Sequence, residues 1–303
     1  MARAAVLRAA TRGSPLARWQ TDYVAGILAV TGVDVDPLIV STTGDLRQDV
    51  SLAAIGGQGV FVKEVQAAVL DGRADIAVHS AKDLPSEVAP GLVLAAVPLR
   101  GDPRDALVGG ALAGLPTGAL VATGSVRRRA QLAYLRPDLT FAELRGNIAT
   151  RLSKLESEGF DAIVMAAAAL QRLGIAERIT ELLDVSLFIP QVAQGALAVE
   201  CRAGDEVVIE LLASIEDADS RTAVDAERAF LAELGGGCTL PVGAHAVVAA
   251  GGLTLTGMLA SSDGRVLLRE TRTGPFGPDL GREVARYLLT EAGGSSLLDA
   301  ELA

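Results

Sequence analysis

The sequence predicts an α/β protein of two lobes with a cleft between them, followed by a smaller α+β domain. Three observations carry that expectation. Strand-like and helix-like periods alternate through the first two thirds of the chain. Turn residues break the alternation at two places, so the chain passes from one alternating unit to a second and back again. From about Asp217 the order changes to a helix, a glycine-rich turn, three strand-like runs and a last helix. The 303 residues suffice for two or three domains, and half of them are apolar. Ala, Val and Leu supply most of that share while aromatics make up 3%, which suits helices packed on parallel strands better than an aromatic-rich sandwich.

Taken in order, Ala4–Ala10 reads as a strand and Pro15–Val30 as a helix. Ser14 can cap that helix and Pro15 suits its first turn. Pro37–Ser41 is the next strand. A helix from about Phe61 places Phe61, Val65, Ala68 and Val69 on one face and stops at Gly72. Asp75–Val78 is a short buried strand that delivers His79-Ser80-Ala81-Lys82-Asp83-Leu84-Pro85 to its C-terminal end, where open α/β sheets place their ligands. The turn residues Pro98 to Pro103 mark a crossing. Beyond it Ala119–Thr123, Thr140–Leu144 and Asp161–Met165 read as strands, and Val126–Leu135 and Ile148–Glu158 as helices. Phe188–Gln194 is the expected return, after which Ala196–Cys201 rejoins the first lobe. The layout is that of bilobal periplasmic-binding-protein-like α/β domains. The expected boundaries are 1–99 with 196–214 for the first lobe, 104–190 for the second and 218–303 for the C-terminal α+β domain. That last domain has a helix over Ala223–Leu234, a turn at Gly235–Gly237, strands within Val242–Thr273 and a helix near Leu280–Thr290.

A formal charge of −10 opposes non-specific binding to nucleic acid or to anionic membrane surfaces, so an anionic ligand needs a local basic cluster. No apolar run approaches the length needed to cross a bilayer. Arg3, Arg8 and Arg12 interrupt the N-terminus where a signal peptide would be continuously apolar, so the cytoplasm is the expected compartment. The two cysteines, Cys201 and Cys238, are expected to be free thiols, and with only His79 and His245 beside them no metal-binding spacing exists. No heptad seam calls for a partner, and a monomer is expected.

The densest cationic feature is Arg127-Arg128-Arg129, just after Thr123-Gly124-Ser125 at a strand-to-helix turn. A helix N-terminus carries free N–H groups and partial positive charge, so arginines there can build an anion site. Arg145 and Arg151 follow from the next strand end and helix, and Arg12 beside Ser14 holds the equivalent place in the first lobe. Guanidinium groups grip carboxylates through paired hydrogen bonds, so several together point to a ligand with several carboxylates. Of 27 basic residues all but Lys63, Lys82 and Lys154 are arginine, however, and a solvated helix face remains the alternative. Asp83 is placed to accept from a ligand N–H and stabilise a developing cation, or simply to cap a turn. His79, at a strand end, reads as a structural residue rather than a general base. Cys238 lies between Gly235-Gly236-Gly237 and Pro241, which leaves its sulfur approachable, while Cys201 reads as a small buried hydrophobe.

Nine motifs follow one another along nearly the whole chain: Ala10-Thr11-Arg12-Gly13-Ser14-Pro15-Leu16-Ala17, Phe61-Val62-Lys63-Glu64, Ala74 to Pro85, Asp102-Pro103-Arg104-Asp105-Ala106, Ser125-Val126-Arg127-Arg128, Leu144-Arg145-Gly146-Asn147, Thr150 to Leu155, Gln194-Gly195-Ala196 and Gly236-Gly237-Cys238. Taken together, these ordered motifs resemble the hydroxymethylbilane synthase (porphobilinogen deaminase) family. The resemblance implies an enzyme that joins four porphobilinogens head to tail with release of ammonia and hydrolyses off the linear product. It implies a dipyrromethane cofactor held on Cys238 by a thioether, with Asp83 as the catalytic residue. Lys82, Asp83, Ser125, Arg127, Arg128 and Arg145 would hold the cofactor, and Arg12, Ser14, Lys63, Arg145, Arg151 and Gln194 the substrate. It also implies a mobile segment near Asp45–Gln58. The chain departs from the common pattern in three places: Gln58 replaces a Lys, Ala122-Thr123-Gly124-Ser125 replaces Gly-Thr-Ser-Ser, and Ala193 replaces a Gly. Two other readings explain parts of the pattern. A non-catalytic bilobal carboxylate-binding module accounts for the lobes and arginines but not for Gly236-Gly237-Cys238. A thiol enzyme with Cys238 as turnover nucleophile needs a nearby base, for which two histidines offer little choice.

Overall fold

Period-two burial explains how the first sheet forms. In the computed structural model, which describes residues 5–42, 59, 62–236 and 240–302, β1 (Ala5–Arg12) sends Leu7 and Ala9 into one core and Ala10 into another. Helix α1 (Pro15–Ala29) packs Val24 and Leu28 into the first of these. β2 (Val33–Val40) begins four residues ahead of the expected Pro37. It is an edge strand, so Asp34, Asp36 and Pro37 are tolerated on its open side. Helix α2 (Lys63–Leu70) puts Val65, Ala68 and Val69 into the second core and ends ahead of Gly72, whose φ of 74° is the left-handed turn that stops a helix. β3 (Ile76–Ser80) leads into a single 3-10 turn, Ala81–Asp83, and β4 (Leu92–Ala96) follows.

The chain then enters a second sheet. Its elements are β5 (Asp105–Val108), β6 (Leu120–Ala122), α3 (Val126–Leu135), β7 (Thr140–Ala142), α4 (Ile148–Ser157), β8 (Ala162–Ala166), α5 (Ala167–Arg172) and β9 (Glu181–Leu182). Leu107, Val121 and Val164 pack with Leu132 of α3 on one face, while Ala106, Ala122 and Ile163 pack with Ile148, Leu152 and Leu155 of α4 on the other. The chain returns through β10 (Leu197–Arg202), α6 (Glu206–Ala213) and α7 (Ala218–Glu233). α7 starts five residues before the expected Ala223 because Asp217 Oδ1 accepts from the Ser220 N–H at 2.8 Å. Three antiparallel strands, β11 (Val242–Ala249), β12 (Gly252–Ala260) and β13 (Leu267–Gly274), precede α8 (Asp279–Thr290) and α9 (Gly294–Leu302).

Both five-stranded sheets share one plan, β2-β1-β3-β10-β4 and β7-β6-β8-β5-β9. In each, three strands run parallel, and the fourth is antiparallel to its neighbours. The sheets are therefore mixed rather than parallel throughout. The antiparallel member is the strand that enters after each crossing, so it meets its sheet from the opposite end. β3 runs two residues beyond the expected Val78 because β10 pairs with it as far as Ser80. By compactness the chain divides into Met1–Gly101 with Ala196–Arg221 and Asp102–Gly195 with Thr222–Ala303. In the latter, the β12–β13 turn at Gly264 rests on α3, since a Cβ there would meet the Ala130 carbonyl oxygen at 2.5 Å. Gly281 of α8 similarly lies against the Ala226 carbonyl of α7. Among the described residues no helix is long and apolar enough to cross a membrane.

Candidate active site

In the first unit the named residues gather at one sheet edge, because β1 and β3 are parallel neighbours with Ala10 opposite Ala77. Arg12 ends β1, Ser14 opens α1, and Lys82 and Asp83 follow β3. Pro15 sets the helix start, and Ser14 Oγ accepts from the Ala17 N–H at 3.3 Å. That bond uses a lone pair of the hydroxyl and leaves its proton to donate elsewhere. Arg12, Lys82 and Asp83 are half-buried, while Lys63 at the first turn of α2 is exposed. Gln20, one face of α1 inward, donates to Ser80 Oγ at 2.7 Å and so ties α1 to the strand end that carries Asp83.

His79 is buried in the sheet with Nε2 3.1 Å from Glu200 Oε2, though off hydrogen-bond alignment, and Gln66 Nε2 donates to both oxygens of that carboxylate at 3.1 and 2.9 Å. The histidine is thus part of a buried polar cluster behind the strand, in keeping with its structural reading. Cys201 is a buried free thiol. Burial, with the nearby Asp205 carboxylate, pushes it up to about 11, so it stays protonated and unreactive at neutral pH.

The second unit repeats the arrangement. Ser125 caps α3, its Oγ accepting from the Arg128 N–H at 3.4 Å, just as Ser14 caps α1. Asn147 Oδ1 caps α4 by accepting from the Thr150 N–H at 2.9 Å. β6 and β7 are parallel with Ala122 opposite Ala142, so Ser125 and Arg145 emerge at the same edge. Arg145 Nε donates to Glu143 Oε1 at 2.8 Å, and Arg151 Nε to the Gly146 carbonyl at 2.8 Å. Gly124, one of the departures, has the Leu144 carbonyl oxygen 2.9 Å from where a Cβ would sit, so this turn leaves no room for a serine without a shift.

Arg127 and Arg128 do not form a solvated face: they are 3% and 7% exposed. Both turn inward onto Asp105, the first residue of β5. Arg127 Nη2 lies 2.8 Å from Oδ2, and Arg128 Nε and Nη2 lie 2.9 and 2.7 Å from Oδ1. Burial opposes ionisation of Asp105, but the two guanidinium charges and the Gln194 amide outweigh it and hold the carboxyl down to about 2. Arg127 also donates to the Ile189 carbonyl at 2.6 Å and lies over the Phe188 ring, yet its buried Nε has no partner. Arg129 is exposed and stacks on Phe141. Gln194 is fully buried, and its Nε2 donates to the Pro103 carbonyl at 2.8 Å and to Asp105 Oδ1 at 3.0 Å. Ala193 has φ of 58°, the left-handed region that a glycine would occupy freely, and its N–H donates to the buried Glu227 carboxylate at 2.6 Å.

The sequence reading did not single out Asp105, Gln20 or Arg172, whose Nη2 donates to the Gly195 carbonyl at 2.6 Å. Asp105 carried one faint signal, its place in Asp102-Pro103-Arg104-Asp105-Ala106, but a carboxylate beside turn residues reads as surface. Cys238 and the segment Asp45–Gln58 lie outside the described residues. Among the described residues no cluster of three or more His, Cys, Asp or Glu could hold a metal ion.

Residues 7–210 match the family model described as porphobilinogen deaminase, dipyromethane cofactor binding domain, and residues 221–290 match that of the porphobilinogen deaminase C-terminal domain. The porphobilinogen deaminase of Syntrophotalea carbinolica is 50% identical over 274 residues, covering 89% of this chain and 87% of its own. That of Roseiflexus castenholzii is 51% identical over 297 residues, 95% of this chain and 97% of its own. Among solved structures, a periplasmic substrate-binding protein of an ABC transporter from Coxiella burnetii is similar at a TM-score of 0.43 and 15% identity, over 71% of this chain and 94% of that one. With two family models spanning both the paired sheets and the C-terminal domain, and relatives about half identical over most of their length, the chain belongs to the porphobilinogen deaminase family.

Proposed function

We propose that this chain is a hydroxymethylbilane synthase, a transferase that condenses four porphobilinogens with loss of ammonia and then releases the linear tetrapyrrole by hydrolysis. Half-identity to porphobilinogen deaminases over nearly the full length supports that activity. We assign three domains, 1–99 with 196–214, 104–190 and 218–303, and place the enzyme in the cytoplasm as a monomer acting on a free small molecule.

The residues suit a cofactor rich in carboxylates. The orphaned, buried Nε of Arg127 is a donor awaiting an acceptor, and the Ser125 hydroxyl keeps its proton after capping α3. Cys238 is the proposed anchor, and Lys82, Ser125, Arg127, Arg128 and Arg145 the groups that hold the acetate and propionate arms. When bound, the dipyrromethane supplies the pyrrole carbon to which substrate is joined. Arg12, Ser14, Lys63, Arg145 and Arg151 orient the substrate's carboxylates, and Gln194 contributes from behind through Asp105. Asp83, held at the end of β3 by the 3-10 turn, accepts from pyrrole N–H groups and stabilises the positive charge that develops on substrate carbon as ammonia leaves.

Asp83→Asn separates these roles. The variant is expected to keep its fold and its attached dipyrrole by intact mass while hydroxymethylbilane formation falls roughly 100-fold or more. Turnover within a few-fold of the wild type would remove Asp83 from the chemistry.

A further inference from the structure

The second unit places two cations on one buried anion, and that imbalance is the observation to explain. Asp105 is 0% exposed and receives Arg127 from one side and Arg128 from the other, with Gln194 closing the group through Oδ1. In these direct contacts two guanidiniums share one carboxylate, and the other buried carboxylate of this segment, Glu227, accepts from the Ala193 and Ala246 N–H groups; an excess of buried positive charge is costly unless a further anion balances it. The donors are unequally used. Arg128 spends Nε and Nη2 on Asp105 and an Nη1 proton on the Val164 carbonyl at 3.1 Å. Arg127 spends Nη2 on Asp105 and Nη1 on Ile189, and its buried Nε has no partner. The carboxylate is the member of the cluster that a strand supplies, the arginines coming from α3 and Gln194 from the segment ahead of β10. β5 enters this sheet after the crossing, antiparallel to β8, with Asp105 opposite Ala166 at the strand ends where Ser125 and Arg145 emerge.

We infer that Asp105 is a positioning residue of this enzyme: it aims the Arg127 and Arg128 guanidiniums and neutralises one of them, so that the remaining charge and the Arg127 Nε–H are set for a single carboxylate of the bound pyrrole. The inference rests on the proposed synthase reading, which supplies the polycarboxylate ligand. Asp105 itself touches no ligand, and its effect passes through Arg127. Ionisation of Asp105 throughout the neutral range agrees with a counter-charge that is permanent rather than switched.

The full-length protein tests this through its load of dipyrrole per folded molecule, read by intact mass alongside a melting curve. Asp105→Asn keeps the shape but leaves two uncompensated cations, and its dipyrrole occupancy is expected to fall at least tenfold, with Asp105→Glu restoring part of it. Arg128→Met removes one cation, and the double variant Asp105→Asn with Arg128→Met returns the cluster to its original net charge. The double variant is therefore expected to melt above Asp105→Asn, and to load no worse than Arg128→Met alone. Should Asp105→Asn fail to fold, that recovery in the double variant still reports the coupling. A folded Asp105→Asn with wild-type occupancy would overturn the inference. So would single-variant losses that simply multiply in the double variant. A wild-type protein with no dipyrrole mass would instead overturn the synthase reading beneath it, which keeps the two failures apart.

Discussion

Replacing Gly243 by alanine measures how tightly the strand that follows the Gly236-Gly237-Cys238 motif in sequence governs the arginine helix. Gly243 lies in β11, five residues beyond Cys238. A Cβ there would sit 2.7 Å from the Pro190 carbonyl oxygen, 3.1 Å from that of Ile189 and 3.2 Å from Arg127 Cδ, where ordinary contact begins at 3.4 Å. The two nearest atoms are backbone, so the strand or the 189–190 segment must move by about 0.5 Å or more. The Ile189 carbonyl accepts from Arg127 Nη1 at 2.6 Å and from Gln131 Nε2 at 2.9 Å, and both bonds would be disturbed. Overpacking of this kind costs about 1–3 kcal/mol, and weakening one charge-assisted bond adds about 1 kcal/mol. A total of about 3 kcal/mol corresponds to a fall in melting temperature of roughly 6–12 °C for a unit of this size. A thermal melt reads the stability, and intact mass reads whether Arg127 still supports dipyrrole attachment, for which a partial loss is expected. A Gly243→Ala protein that melts within about 2 °C of wild type with full occupancy would refute the reasoning, because the packing would then be slack.

Two further outcomes follow from the same cluster and its surroundings. The guanidiniums of Arg127 and Arg128 hold Asp105 down to about 2 in the folded protein against an ordinary 3.8, so its contribution, on the order of 2–3 kcal/mol, is complete above the ordinary value and is lost as pH falls from about 4 to about 2. Denaturant melts of wild type and Asp105→Asn across that window should converge toward pH 2, and parallel curves would contradict it. At Ala193, relief of the left-handed strain offsets the lost methyl group, so Ala193→Gly is expected to change stability by less than about 1 kcal/mol. Ala198→Gly, in the equally buried strand β10, should cost about 1–2 kcal/mol, and equal losses at the two sites would show that φ at Ala193 carries no strain.

Much of the scaffold was legible because local signals agreed with the final packing. Ser14-Pro15 marks where α1 starts, Gly72 where α2 stops, and Val126–Leu135 is the helix that the apolar period predicts. Boundaries slipped where a neighbour decided them. Val33–Asp36 joined a strand because β1 pairs with it along its whole length, and His79 and Ser80 did so because β10 does. The candidate site was legible as residue types at strand ends. The direction of the arginines was not, because it depends on Asp105 and Gln194, which are 22 and 66 residues from their guanidinium partners. Arginine runs on an acidic protein look solvated until a buried counter-charge is known. The close approach of Gly243 to Arg127 and the Glu227 carboxylate bridging the Ala193 and Ala246 N–H groups are long-range contacts of the same kind.

The most direct measurement is the intact mass of the freshly purified chain, taken before and after incubation with porphobilinogen and repeated on Cys238→Ser. The expected result is a chain heavier than its sequence by one dipyrrole, further mass in pyrrole steps when substrate is added, and loss of the normal attachment in Cys238→Ser. A chain that weighs what its sequence dictates and releases no linear tetrapyrrole would contradict the assignment.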